Sequence, residues 1–169
     1  MKDRALVAYA TRAGSTTGVA TTIGETLTAR GFAVDVTPIS EGPAVEGYQA
    51  VIIGSAVHGG RWLPEAEAFV SENRDALSRV PVALFCVHIL NLKDDAKNRA
   101  RRAAYLEGVR PLLPPADEAF FAGRMDNPTV PVAVIWLIRL FRIMPVGDWR
   151  DLDAVRSWAQ ALWTGDEAG

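Results

Sequence analysis

Leu6-Val7-Ala8-Tyr9-Ala10 runs straight into Thr11-Arg12-Ala13-Gly14-Ser15-Thr16-Thr17-Gly18, and that loop into Val19-Ala20-Thr21-Thr22-Ile23. The first piece is apolar throughout, which suits a parallel strand buried on both faces. The third begins an amphipathic helix, with Val19, Ile23 and Leu27 one turn apart. Ser15 or Thr16 can cap its start, and Gly31 after Arg30 can stop it. The loop between them is small and hydroxylated, with donors on Thr11, Ser15, Thr16 and Thr17. Gly14 and Gly18 admit close backbone approach. The first amides of the helix stand unpaired at the positive end of its dipole. Strand, hydroxylated loop and helix N-terminus together make a phosphate site.

Working outward, strands and helices go on alternating. Residues 32–36 alternate in polarity and read as a strand near an edge. Residues 48–54 form a second apolar strand, followed by the small-residue loop 55–62. Pro64 then opens a helix with Ala66, Phe69 and Val70 inward. Residues 81–87 are a third buried strand, 91–110 a polar helix and 118–122 the last strand. A segment at 126–147 is inserted before a closing helix over 149–163. That helix carries Leu152, Val155, Ala159 and Leu162 on one side, with Asp148 as its N-cap. The order predicts one α/β domain over 1–169, a parallel sheet with helices on both faces and a flexible tail at 164–169. Ligands of such sheets bind at the carboxyl ends of the strands, where both small-residue loops lie.

The composition narrows the function. With 49% apolar residues and a formal net charge of −2, nothing draws the chain as a whole toward nucleic acid, and no recognition module accompanies its basic residues. The cluster Lys97, Arg99, Arg101 and Arg102 reads as a solvated helix face or as an attractant for anionic lipid or an acidic substrate. Cys86 is the only cysteine, so no intramolecular disulfide can form and no cysteine-rich metal site exists; no metal is expected. The apolar run after Arg4 is too short for a signal-peptide core, and no stretch reads as a spanning helix. These features fit a cytoplasmic location.

The phosphate loop lacks the Gly-Lys-Ser/Thr ending of a triphosphate loop, and no lysine is near it. That argues for a lone monophosphate. Arg12 is either an added phosphate contact or a solvent-facing side chain. In the second loop, Gly59 and Gly60 allow close approach to a ligand. Trp62 either stacks on a ring or packs under the Pro64 helix, and His58 either touches a ligand or stays exposed. Cys86 reads as a small buried hydrophobe more than as a redox thiol. His88, at the strand end, is the better functional candidate. In the insert, Val130 to Met144 forms a greasy helix carrying Arg139 and Arg142 on one face, with Thr129 to cap it and Pro145 to end it. Such a helix is either an ordinary buried element or a patch for a membrane surface, a quinone or a protein partner.

Thr11, Gly14 and Thr16 match the Thr-x-x-Gly-x-Thr phosphate loop of the flavodoxin-like family, which most of the chain resembles. Within it, the chain is most similar to the menaquinone-dependent protoporphyrinogen IX dehydrogenases. Val51-Ile52-Ile53-Gly54 leading to Val57-His58-Gly59, the Pro81-x-Ala83-x-x-x-Val87 strand and the insert before Asp148-Trp149 carry that likeness. The resemblance implies a three-layer α/β/α sandwich with a five-stranded sheet in the order 2-1-3-4-5. It implies FMN as cofactor, with Thr11, Arg12, Ala13, Gly14, Ser15 and Thr16 on the phosphate. Ser55, Ala56, Val57, His58 and Gly59 on one side, and Cys86, Val87 and His88 on the other, would flank the ring. The implied activity is an FMN-dependent oxidoreductase of haem biosynthesis that passes electrons from a porphyrinogen to a quinone. The insert would then contact the inner face of the membrane peripherally. Two alternatives stay open: a flavodoxin-type electron carrier, and a flavin-free interaction module.

Overall fold

The computed structural model describes residues 3–125, 132–141 and 147–163. β1 (Arg4–Ala10) leads through the hydroxylated loop into α1 (Ser15–Ala29), and β2 (Ala33–Pro38) follows. β3 (Ala50–His58) turns back on itself as β4 (Arg61–Trp62) before α2 (Pro64–Glu72) and the short α3 (Arg74–Leu77). Then come β5 (Val82–His88), α4 (Ala96–Ala103) and β6 (Asp117–Ala122). β7 (Arg124–Met125) and β8 (Gly147–Asp148) bracket α5 (Val132–Phe141), and α6 (Leu152–Ala161) closes the fold.

Five parallel strands lie in the order β2-β1-β3-β5-β6, with β4 antiparallel against the end of β3. The register pairs Val7 with Ile52, Ile53 with Leu84 and Phe85 with Ala119. Successive side chains point to opposite faces, and here both faces are packed. Leu6, Val51, Ile53 and Leu84 meet Phe69 and Val70 of α2 on one side. Val7, Ile52 and Phe85 meet Ile23 and Leu27 of α1 and Val155 and Ala159 of α6 on the other. Double-sided burial is why these strands read as unbroken apolar runs. β2, paired on one side only, has no buried residue and is exposed or half-buried along its length. The result is the three-layer α/β/α sandwich of the flavodoxin-like fold.

Four expectations about element ends are corrected. α1 is not capped by Ser15 or Thr16: Gly14 is its N-cap, at φ 82°, and no side chain caps it. β3 does not stop at Gly54 but runs to His58, because Val57 pairs with Trp62 and His58 with Arg61 across a Gly59-Gly60 turn. Both turn residues have positive φ (61° and 78°), which glycine adopts without strain. The helix expected over 91–110 shrinks to α4. Asp95 caps it by accepting from the Asn98 amide, and a 3₁₀ turn (Ala104–Leu106) follows. Asp148 does not cap α6. It is held in β8 opposite Arg124, and Asp151 accepts from the Ala154 amide instead. Thr129, Arg142, Pro145, the Arg139 side chain and the tail 164–169 lie outside the described residues.

Candidate functional site

The carboxyl ends of β1, β3 and β5 converge on one cavity of about 350 Å³, within the range of about 300–1,000 Å³ usual for cofactor sites. Arg12, Ala13 and Ser15 line it from the first loop, Ala56, Val57, His58 and Gly59 from the second, and Val87 and His88 from the third. The walls are mostly apolar, and Arg124 joins Arg12 as a cationic wall residue.

The loop after β1 is shaped by its own bonds. The Thr11 hydroxyl accepts from the Gly14 amide at 3.0 Å, which closes the turn that leads to the left-handed Gly14. α1 therefore starts abruptly, with neither a side-chain cap nor an acidic residue in its first turn. Its positive end lacks the anion that would normally compensate it. Thr16 is fully buried, and its hydroxyl has no hydrogen-bond partner. An unpaired buried hydroxyl costs about 1–3 kcal/mol, so an acceptor arriving there is worth more than one met in water. Two further features surround this corner. A Cβ on Gly123, just past β6, would lie 3.2 Å from Ser15 Oγ and 2.9 Å from Val87 Cγ1. A Cβ on Gly18 would lie 3.0 Å from Arg150 Nη1, and Arg150 is itself paired to Asp148 at 2.7 Å.

Two residues expected at the ring stand away from the cavity wall. Ser55 is buried; its hydroxyl donates to the Ala56 carbonyl at 2.8 Å and accepts from the Leu63 amide at 3.0 Å, pinning the β3–β4 turn. Cys86 is buried too, and its Sγ accepts from the Trp62 indole N–H at 3.0 Å. Burial pushes its thiol up to about 12, so it stays protonated and unreactive. The same contact decides between the two readings of Trp62. It lies in the core at 2% exposure, and its ring cannot stack on a ligand.

His88 does reach the cavity. Its Nδ1–H donates to the Leu90 carbonyl at 2.7 Å, because a carbonyl can only accept, so Nε2 carries the lone pair in the neutral ring. Burial, with Arg102 nearby, holds its imidazole below its ordinary range. His88 is thus a neutral acceptor at the wall.

Leu63, Ile89, Leu90, Asn91, Tyr105 and Met125 also line the cavity, and sequence reading did not place them. Ile89, Leu90 and Asn91 directly follow a buried strand, which is a usable signal. Tyr105 arrives from the 3₁₀ turn after α4, and only the tertiary fold brings it near.

These residues fit FMN. An uncapped helix start and an orphaned threonine hydroxyl suit a phosphate dianion, and an apolar cavity with close-approaching glycines suits a planar ring. Among the described residues, no cluster of His, Cys, Asp or Glu could hold a metal ion, and no helix is long and apolar enough to cross a membrane.

Solved structures share this fold. Oxidised flavodoxin 1 from Bacillus cereus aligns with a TM-score of 0.59 at 13% identity, covering 93% of this chain and 95% of that one. A flavodoxin from the domain Archaea gives 0.57 at 17%, covering 93% and 94%. Rubredoxin oxygen:oxidoreductase from the anaerobe Desulfovibrio gigas gives 0.55 at 14%, covering 94% of this chain but 35% of that longer one. At these identities the likeness is one of fold. No curated protein matches the chain. Residues 6–145 match the family described as the flavodoxin domain, and with that span of strands, phosphate loop and insert the chain belongs to it.

Proposed function

We propose that this protein holds FMN at the β1, β3 and β5 carboxyl ends and works as an FMN-dependent oxidoreductase. The observation that carries the reading is the uncapped start of α1, whose Ser15 lines the apolar cavity and whose Thr16, next in the chain, keeps its buried hydroxyl unpaired. FMN supplies one- and two-electron transfer when bound; the chain supplies binding, orientation and exclusion of water. The amides of the first turn of α1 and the Ser15 and Thr16 hydroxyls hold the phosphate. Thr16 is buried with its hydroxyl unpaired, so of the two hydroxyls it is the one that would gain most from a phosphate oxygen. Ala56, Val57 and Gly59 on one side and Val87, His88 and Leu90 on the other exclude water from the ring. His88 Nε2 offers an acceptor at the wall, and Arg12 and Arg124 give the site a cationic margin.

The substrate reading is an anionic, porphyrinogen-type donor with a quinone acceptor, supported by that cationic margin and by the sequence likeness to protoporphyrinogen IX dehydrogenases. Anaerobic reduction of the bound flavin by protoporphyrinogen IX, followed by quinone-dependent reoxidation, tests it. A second reading, a flavodoxin-type electron carrier, is supported by the near-complete coverage of two flavodoxins. No turnover with any porphyrinogen, together with fast electron exchange with protein partners, would favour it.

An anionic lipid surface suits α5. Val132, Trp136, Leu137, Leu140 and Phe141 are 51–71% exposed, and every described exposed side chain of that helix is apolar. By sequence the stretch 124–150 carries four arginines against two aspartates in a chain whose net charge is −2, so the segment around the greasy helix is net cationic, as an anionic surface requires. A helix of ten residues is about 15 Å long and 10 Å across, a footprint far below the roughly 800 Å² per partner that a stable dimer buries. Co-sedimentation with phosphatidylglycerol vesicles should capture the protein, and Trp136→Glu with Leu140→Glu should release it. Indifference to the vesicles, or a stable dimer by light scattering, would contradict this assignment.

A further inference from the structure

In the structure the basic cluster of α4 is turned onto the loop that follows β5. None of the eight residues of α4 is buried, and so short a helix has little stability of its own. Arg99 reaches Asp94 at 2.9 Å and Arg101 reaches the Asn91 side-chain carbonyl at 3.5 Å, but Arg102 makes the most bonds to that loop and is the least exposed of the arginines paired to Asp94. Its side chain is 13% exposed. Nη1 donates to the Asn91 carbonyl at 2.7 Å and to the Lys93 carbonyl at 2.9 Å, and Nη2 donates to Asp94 Oδ1 at 3.2 Å. Asn91 sits at φ 59°, a conformation side-chain-bearing residues rarely adopt. Its own amide Nδ2 donates to the Tyr105 hydroxyl at 2.7 Å. The Tyr105 ring lies against His88, with centroids 5.7 Å apart, and His88 holds the Leu90 carbonyl. Every one of these bonds converges on residues 90–94, and Leu90 and Asn91 line the cavity. Leu90 is 54% exposed there and offers apolar surface to the cavity.

We infer that Arg102 is a positioning residue for the cofactor ring: it holds Leu90 and Asn91 as a finished wall before the ligand arrives. The inference rests on the FMN reading of the cavity. A strained backbone persists only where its surroundings over-determine it, and Arg102 supplies two of the bonds that do so. Without the guanidinium the Asn91 backbone relaxes and Leu90 leaves its station. If the loop then spends a tenth of its time in the binding arrangement, affinity falls roughly tenfold. The loss falls on the ring, not on the phosphate.

The test titrates wild-type apo-protein and the Arg102→Ala, Arg102→Lys and Asn91→Gly variants with FMN and with riboflavin, following flavin fluorescence. The unfolding temperature of each apo-protein is measured alongside. Arg102→Ala should weaken both flavins by the same factor, roughly tenfold or more. The ratio of FMN to riboflavin affinity should stay where it was, while the apo unfolding temperature, with three guanidinium bonds gone, should fall by roughly 2–8 °C; the titrations are run well below that transition, where lost stability alone leaves flavin affinity unchanged. Arg102→Lys keeps the charge but not the planar fork, so it should recover only part of the affinity. Asn91→Gly accepts the positive φ and folds even where Arg102→Ala does not; with the Tyr105 bond gone it should weaken both flavins in equal proportion. Unchanged affinities in the variants would overturn the role of Arg102 alone. So would a loss confined to FMN, which would put Arg102 on the phosphate. A wild-type protein that binds neither flavin would overturn the FMN reading and this inference with it.

Discussion

Thr16→Val should make the empty protein more stable and the loaded one harder to form. The two side chains have nearly the same shape, and Thr16 is fully buried with its hydroxyl unpaired. Removing that hydroxyl ends a desolvation cost of about 1–3 kcal/mol. Because valine fits the same space, about 1 kcal/mol of that should appear as added apo stability, or roughly 2–4 °C in unfolding temperature for a chain of this size. FMN binding moves the other way. A hydrogen bond to a charged group contributes about 1.5–3 kcal/mol, so FMN affinity should fall about ten- to a hundredfold. Riboflavin lacks the phosphate, so its affinity should stay unchanged. Thermal unfolding of the apo-protein and fluorescence titration with both flavins read all three quantities. An apo-protein destabilised by the substitution would show that the hydroxyl has a partner within the fold. An unchanged FMN affinity would show that the phosphate does not reach Thr16. Either result refutes the reasoning.

Three further outcomes follow from the packing and from the buried groups. Gly54 pairs with Phe85, and a Cβ there would land in the Phe85 ring, which is fully buried; Gly54→Ala should cost about 1–3 kcal/mol, seen as a lower urea midpoint, and an unchanged midpoint would mean the ring moves freely. With its thiol pushed up to about 12, Cys86 should ignore Ellman's reagent in the native protein and react on unfolding; labelling at the rate of a free thiol would contradict the burial. The His88 imidazole is held below its ordinary 6.5 by burial first and by Arg102, against the pull of the Leu90 carbonyl. The unfolded chain then takes up that proton before the native one does, so this contribution is present above 6.5 and is lost as pH falls below it. His88→Asn keeps an N–H for Leu90 but does not titrate, so its stability should fall less than the wild type's between about pH 7 and pH 5; identical slopes would remove His88 as the cause.

Much of this was legible in the sequence where the local pattern and the tertiary demand agree. Strands buried on both faces read as apolar runs, and an apolar run ending in a hydroxylated loop before an amphipathic helix reads as a phosphate corner. Legibility failed where tertiary partners decide. Nothing local says that Ser55 is a buried pin for the β3–β4 turn. That role depends on the Leu63 amide folding back to it. Trp62 faces inward because it pairs with Val57 and donates to Cys86. Asp148 and Asp151 are both plausible caps by residue type, and the β7–β8 pairing takes the first out of contention. The start of α4 was hidden because the polar residues 91–95 suit a helix as well as a loop. What commits them to a loop is the Arg102 clamp and the left-handed Asn91. Tyr105 reaches the cavity only through that clamp's tertiary arrangement.

The central claim is that the uncapped start of α1 is a monophosphate site beside an apolar cavity of cofactor size. Its most direct measurement is a pair of fluorescence titrations of the apo-protein, one with FMN and one with riboflavin. The account predicts one-to-one quenching of FMN, with riboflavin bound at least about tenfold more weakly, the lower end of what a charge-assisted phosphate contact contributes. Equal affinity for the two flavins, or no quenching of either, would contradict it.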